Sequence, residues 1–260
     1  MMDSIQQITR DRKTEKLYIL SPDLRWAIAT VREVRPDRGV RLDRTVAYPE
    51  GGGQEGDRGT IETTSGLRLA FDDTQRGPGR VLFMDGFSGV HVDVPIYHRV
   101  TPEDAHHLAV GDEVIVSIDM DRRAQLSLSH TAAHILYLGV KQVRPEAVNW
   151  VIGCHIREDQ ARFDLRVDER FMPDDLARME EFATEFICAD HTIKIRAHPD
   201  EPEALYWLCN DEVIPCGGTH VSRTGLVGRI RVQRKNIGKG KERLIATFGP
   251  SDTDRLDRGG

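Results

Sequence analysis

The chain has 260 residues, 39% of them hydrophobic and 30% charged, a balance that suits one large globular domain or two modest ones, each able to bury a core. No apolar run approaches the ~20 residues that cross a bilayer, and the opening MMDSIQQITRDRKTEK is charged where a secretory leader needs an apolar stretch, so a cytoplasmic protein with no membrane partner is expected. The net charge of −6 argues against a dedicated nucleic-acid binder, and four cysteines (Cys154, Cys188, Cys209, Cys216) are too few for a disulfide framework in a chain this long.

The first ~120 residues read as all-β. Short apolar segments such as Trp26–Val31, Arg80–Met84 and Glu113–Ile118 are divided by glycine, proline and aspartate clusters, with no amphipathic helix among them. The period changes after Asp119-Met-Asp-Arg-Arg123, and from Leu126 to about Val143 apolar residues recur at three and four, which predicts a helix packed on one side. A boundary near residue 120 follows, giving domains 1–120 and 121–260. Beyond it, Ala161–Val167 alternates like a strand. Pro173 marks a helix start, with Leu176, Met179, Ala183, Phe186 and Ile187 on one face. Thr192–His198 alternates again, Pro202–Leu208 is a short helix candidate, and Val227–Gln233 with Arg243–Phe248 reads as a hairpin joined by Asn236-Ile-Gly-Lys-Gly240. That order predicts an α+β layer with an antiparallel sheet. The closing SDTDRLDRGG reads as a loose tail.

Three motifs carry chemistry. His130 and His134 stand four apart in the predicted helix, so their imidazoles lie on one face and converge. The helical pair of metalloproteases has this spacing, but HTAAH holds alanine where HExxH holds its glutamate base. Cys216-Gly-Gly-Thr-His220 places a second pair four apart on a glycine turn. Three nitrogens and one thiolate suit tetrahedral zinc. The third motif, Tyr48-Pro-Glu-Gly-Gly-Gly-Gln-Glu-Gly-Asp-Arg-Gly59, is either a flexible hairpin loop or a wall of glycine amides and the Gln54 carboxamide around a small polar group. It lacks the GK[ST] of a phosphate loop. From Arg223 to Arg243 there are eight basic residues and one acid, Glu242, against the trend of the whole chain.

LDRTVAYPEGGGQEGDRG, SHTAAHIL, GCHIREDQARFDLRVD, PCGGTHV and NIGKGKERL follow one another as in the editing domain of alanyl-tRNA synthetase and its free-standing relatives, the AlaX proteins. The chain resembles that family over residues 20–248, and a glycine-rich β domain ahead of the zinc domain resembles the medium-length AlaX class. The resemblance implies an N-terminal β-barrel-like domain, then the editing fold shared with threonyl-tRNA synthetase. It implies one zinc per chain on His130, His134, Cys216 and His220, and deacylation in trans of tRNA for alanine mischarged with serine or glycine. Ala47 departs from the aromatic that many relatives carry before the tyrosine.

On this reading Gly53, Gln54 and Thr131 are the expected contacts of the aminoacyl group, Gln54 or Thr131 pairing the serine hydroxyl. Thr131 is equally open to bonding back into its own helix. Lys239, Lys241 and Arg234 are the expected contacts of acceptor-stem phosphates. A monomer or weak dimer is expected. No catalytic base is assigned, because no Asp or Glu stands beside the ligands, and zinc that activates water and zinc that orients substrate remain equally open. Two rivals stand beside the editing enzyme: a zinc-stabilised tRNA-binding module, and a metal hydrolase of a small ester or amide.

Overall fold

The computed structural model describes residues 13–249, Ser88 excepted; residues 1–12 of the charged start and the tail from Ser251 lie outside the described residues. The chain divides into two compact units. One holds Met1–Gly51, Glu55–Arg123 and Ala197–Leu205, the other Gly52–Gln54, Ala124–Arg196 and Tyr206–Gly260. No helix among the described residues is long and apolar enough to cross a membrane.

The first unit opens with β1 (Glu15–Lys16) and the single turn α1 (Leu17–Leu20), then β2 (Trp26–Arg35), β3 (Gly39–Leu42) and β4 (Arg44–Thr45). There follow β5 (Gly59–Thr63), β6 (Arg68–Phe71), β7 (Thr74–Arg76), β8 (Arg80–Leu82), β9 (Val90–Val92), β10 (Ile96–His98), the turn α2 (Pro102–Ala105) and β11 (Glu113–Ile118). Seven of these strands make one antiparallel sheet in the order β6-β5-β11-β2-β3-β10-β7. β2 belongs to both halves: a bulge between Val31 and Glu33 bends it from β11 onto β3. β6 and β7 end the sheet on opposite sides, yet only Asp72 and Asp73 separate them in the chain, so the sheet must curl until its ends approach. The expected barrel-like domain takes the form of this curled sheet, left open: no ladder joins β6 to β7 among the described residues, and the seam is a two-residue connection rather than paired strands. Inside lie Val31, Leu42, Ile61, Phe71 and Val116, and Ala47 is fully buried with them.

The glycine segment is pinched at its base within this unit. Tyr48 N–H donates to Asp57 Oδ2 at 2.7 Å and Asp57 N–H to the Tyr48 carbonyl at 2.9 Å. Asp57 is fully buried and ion-paired with Arg123, which also donates to the Val46 carbonyl. A buried pair of this kind is weak evidence of stability, but losing either partner strands a charge, typically at ~3–5 kcal/mol.

The second unit is built on the helix α3 (Met120–Val143), whose first residues still belong to the first unit. It starts six residues before the periodic segment, because Asp119 Oδ1 accepts from the N–H groups of Asp121 and Arg122 and so caps a first turn that carries no apolar pattern. Then come β12 (Val151–Ile156), β13 (Gln160–Arg166), α4 (Pro173–Cys188), β14 (Ile193–His198), β15 (Glu201–Cys209), β16 (Glu212–Pro215), β17 (Arg229–Gly238) and β18 (Lys241–Gly249). β12-β13-β18-β17 form an antiparallel sheet. The two helices cover one face of it through Ala132, Leu136, Met179 and Phe186 against Leu165, Val232, Leu244 and Ala246. α4 begins with Pro173 in its first turn, and Asp175 accepts from Met172 N–H. The α+β class holds. The helix expected over Pro202–Leu208 is corrected to strand β15, since Ala204, Leu205, Trp207 and Cys209 are buried and the strand pairs with β16 from Tyr206↔Pro215 to Cys209↔Glu212.

Candidate metal centre

His130 and His134 project from one face of α3, buried, with ring centroids 5.1 Å apart. Cys216 follows the last residue of β16, and the turn Gly217-Gly218-Thr219 returns the chain so that His220 faces the same point. Its ring centroid lies 4.3 Å from that of His130 and 4.7 Å from that of His134. Cys216 Sγ lies 3.4 Å from His130 Nε2 and 3.3 Å from His220 Nε2. One donor atom from each of the four residues lies within 4.8 Å of the other three, a cluster that could hold a metal ion. No side chain fits at Gly218: an added Cβ would stand 2.1 Å from His130 Cε1 and 2.9 Å from Gln54 Oε1.

The partners of these rings decide which nitrogen is available. Gln54 Oε1 can only accept, so His130 Nδ1, 2.7 Å away, carries the hydrogen and Nε2 keeps its lone pair. Thr131 donates its own hydrogen to the Ser127 carbonyl at 2.9 Å, so its oxygen accepts from His220 Nδ1 at 3.2 Å, and His220 Nε2 is likewise free to ligate. His134 has no such partner. Its Nδ1 and the indole Nε1 of Trp207, whose ring meets it at 4.7 Å, are two of three buried side-chain atoms without a hydrogen bond among the described residues. Three neutral imidazoles and a thiol with their lone pairs turned to one point fit a borderline-soft divalent ion.

Electrostatics support the same conclusion. Burial holds the His130 imidazolium pKa down to about 3, and burial with the neighbouring rings holds His134 and His220 well below the ordinary histidine value. The histidines are therefore in their ligating, neutral form. Burial pushes the Cys216 thiol up to about 12, so without a cation it stays protonated. None of the hydrogen-bond partners of the four ligands or of Gln54 is a carboxylate.

Gln54, fully buried, is the pivot of a hydrogen-bond network. Its Oε1 also accepts from Thr219 N–H at 3.0 Å, and its Nε2 donates to Thr219 Oγ1 at 3.0 Å. It reaches this place through the edge of β12: Gln54 bridges Ile156 in parallel, and Ile156 N–H donates to the Gly53 carbonyl at 2.7 Å. Gly53 has φ +88°, and an added Cβ would meet the carbonyl oxygen and sulfur of Cys154, each at 3.0 Å. Two glycine-specific demands coincide there.

The residues expected to touch an aminoacyl group are thus placed behind the ligands. Thr131 is fully buried, with its hydrogen given to Ser127 and its oxygen taken by His220 and, at 3.3 Å, by Val221 N–H. Sequence reasoning passed over Thr219, although it immediately precedes a ligand in CGGTH. Its half-buried hydroxyl oxygen accepts from Gln54 and, at 2.9 Å, from Ser127, which leaves its own hydrogen to give. Lys239 and Lys241 are exposed at the β17–β18 turn. Arg234 is half-buried and donates at 2.6 Å to Glu242, which is 2% exposed.

Residues 208–245 match the family described as threonyl and alanyl tRNA synthetase second additional domain. The chain is 33% identical over 244 residues to the alanine–tRNA ligase of Methanopyrus kandleri, covering 86% of this chain and 24% of the ligase. It is 32% identical over 238 residues to the alanyl-tRNA editing protein AlaX-M of Pyrococcus horikoshii, covering 89% of this chain and 96% of that protein. The alanine–tRNA ligase of Methanospirillum hungatei is 28% identical over 269 residues, 96% of this chain and 27% of the ligase. The chain spans about a quarter of the length of these ligases.

Two outcomes follow from the geometry. Gln54→Ala and Gly218→Ala should each weaken metal affinity by about 10–100-fold, the usual cost of losing a ligand's orienting partner, while circular dichroism stays that of the parent. Competition with a chromogenic chelator measures this, and unchanged affinity in both variants would show that the network does not orient His130. Because burial holds His130 down to about 3, keeps His134 and His220 well below the ordinary histidine value and pushes the Cys216 thiol up to about 12, affinity should rise about tenfold per pH unit between pH 5 and 8, with one proton released per ion. Two or more protons released near pH 6 would mean that the metal-free histidines titrate normally.

Proposed function

Because the chain belongs to the family of alanyl-tRNA editing proteins, we propose that it is a zinc-dependent deacylase that removes serine, and with it glycine, from mischarged tRNA for alanine. The observation that supports this best is the convergence of His130, His134, Cys216 and His220 on one point with Gln54 locked to His130. When bound there, zinc supplies positive charge that can polarise a carbonyl or lower the pKa of a bound water towards ~7. The aminoacyl ester is already activated, so the protein's own contribution is chiefly orientation and selection.

Selection is the harder task. Serine exceeds alanine by one hydroxyl, which an apolar pocket rejects by only ~10²-fold, whereas a site that hydrogen-bonds the hydroxyl discriminates far more strongly against the analogue without it. Thr219 is our candidate for that contact, as its unspent hydrogen can donate to the substrate oxygen once the aminoacyl group covers it. Gln54 and Thr131 act one step behind: Gln54 orients His130 and Thr219, and Thr131 orients His220. Gly53 supplies the passage that lets Gln54 reach them.

A complete set of four protein ligands is also what a structural zinc site has, and this favours one second reading, a zinc-stabilised module that binds tRNA without hydrolysing it. One assay separates them. Wild type should deacylate seryl-tRNA for alanine much faster than the alanylated form. Thr219→Val keeps the branched shape, removes the hydroxyl, and should erode that preference about tenfold, the equivalent of one hydrogen bond worth ~1.4 kcal/mol. Equal hydrolysis of both tRNAs by wild type would refute the editing assignment, and hydrolysis of neither would establish the binding module. Undiminished preference in the valine variant would remove Thr219 alone.

A further inference from the structure

The sheet β12-β13-β18-β17 has two unlike faces. The face under α3 and α4 carries Leu165, Val232, Leu244 and Ala246. The register puts a different set of rows on the other face: Lys235 opposite Arg243 opposite Asp164, and Arg166 opposite Lys241, with Arg162 beside them on β13. The residues named number five cations and one acid, in a chain whose net charge is −6. The one acid is already claimed: Arg243 grips Asp164 at 2.6 and 2.9 Å, and Arg162 stands 3.8 Å from it. Arg166, Lys235 and Lys241 are exposed and have no ion-pair partner among the described residues.

Like charges directly opposite one another destabilise a sheet, and two such pairs, Lys235↔Arg243 and Arg166↔Lys241, lie on adjacent rows. Folding gains nothing from that arrangement, which a bound polyanion would relieve. Beyond Arg166 a cavity of about 750 Å³ is lined by Asp168 and Glu169 as well as by Arg166 and Arg170.

We propose that this outer face is the surface on which double-helical phosphates of the tRNA substrate lie. The inference rests on the tRNA-editing reading above and adds its docking surface, in which β13 contributes as much as the β17–β18 hairpin. Cys154, next to Gly53 and the metal cluster, belongs to the opposite, inward row of β12.

The test is tRNA binding to the full chain, measured by fluorescence anisotropy across a salt series, with Arg166→Glu, Lys235→Glu and Lys241→Glu combined. Affinity should fall about tenfold or more, and the slope of log affinity against log salt should flatten by about two to three, roughly one released counterion per lost contact. Arg178→Glu, exposed on α4, is the control for charge alone and should change the slope by less than one. The combined glutamine variant at the same three positions guards against misfolding, and its metal content should equal that of wild type while its binding weakens in the same direction. Wild-type affinity and slope in both combined variants would overturn the proposal, as would a DNA duplex that binds wild type as tightly as tRNA does. Wild-type deacylation is a separate readout: if it is absent while the face still binds tRNA, the hydrolase reading fails and the docking surface stands.

Discussion

One carboxamide oxygen organises the metal centre. Gln54 Oε1 accepts from His130 Nδ1 and from Thr219 N–H, so a single atom sets the tautomer of a helix-borne ligand and the backbone of the turn between Cys216 and His220. A buried amide of this kind is costly when left unpaired, and here its oxygen accepts two hydrogen bonds while its nitrogen donates to Thr219 Oγ1. The glycine segment exists to bring it there. Gly53 takes a left-handed backbone beside Cys154, accepts from Ile156 N–H at the edge of β12 through its carbonyl oxygen, and leaves no room for a side chain. Gly218 does the equivalent on the other side of His130.

The same burial that makes the network rigid makes it hungry for a cation. Three imidazoles are kept neutral by desolvation, and the thiol beside them is kept protonated for the same reason. No carboxylate among their partners offsets the cost of burying these groups. Two polar atoms at the site, His134 Nδ1 and Trp207 Nε1, have no hydrogen-bond partner among the described residues. A divalent ion held by His130, His134, Cys216 and His220 would favour the thiolate, its proton leaving to solvent, would give the imidazole lone pairs a common partner, and would add its binding free energy to the folding free energy of this unit.

The ligand pairs were legible because each depends on local spacing: four residues along a helix for His130 and His134, four residues around two glycines for Cys216 and His220. The helix bearing the first pair extends further than its apolar period suggests, since Asp119 caps it through hydrogen bonds that a hydrophobic pattern does not encode. Roles were harder to read than positions. Thr131 and Gln54 are polar residues in suggestive places, but whether a hydroxyl faces a substrate or a neighbouring ring is set by contacts 89 and 76 residues away in the chain. Strand β15 was hidden by Pro202 and by a burial pattern that only its pairing with β16 explains. The basic face was half visible, because charge counted along the chain finds the β17–β18 hairpin and misses Arg162 and Arg166, which only the β13–β18 register brings alongside.

The account turns on whether the four side chains hold one ion together. X-ray absorption at the zinc edge of the purified full-length protein tests this directly. The structure predicts a single four-coordinate site with three nitrogen neighbours at ~2.0–2.1 Å and one sulfur at ~2.3 Å. A shell of light atoms without sulfur, or protein that reaches full tRNA-deacylating activity with no stoichiometric metal, would contradict it.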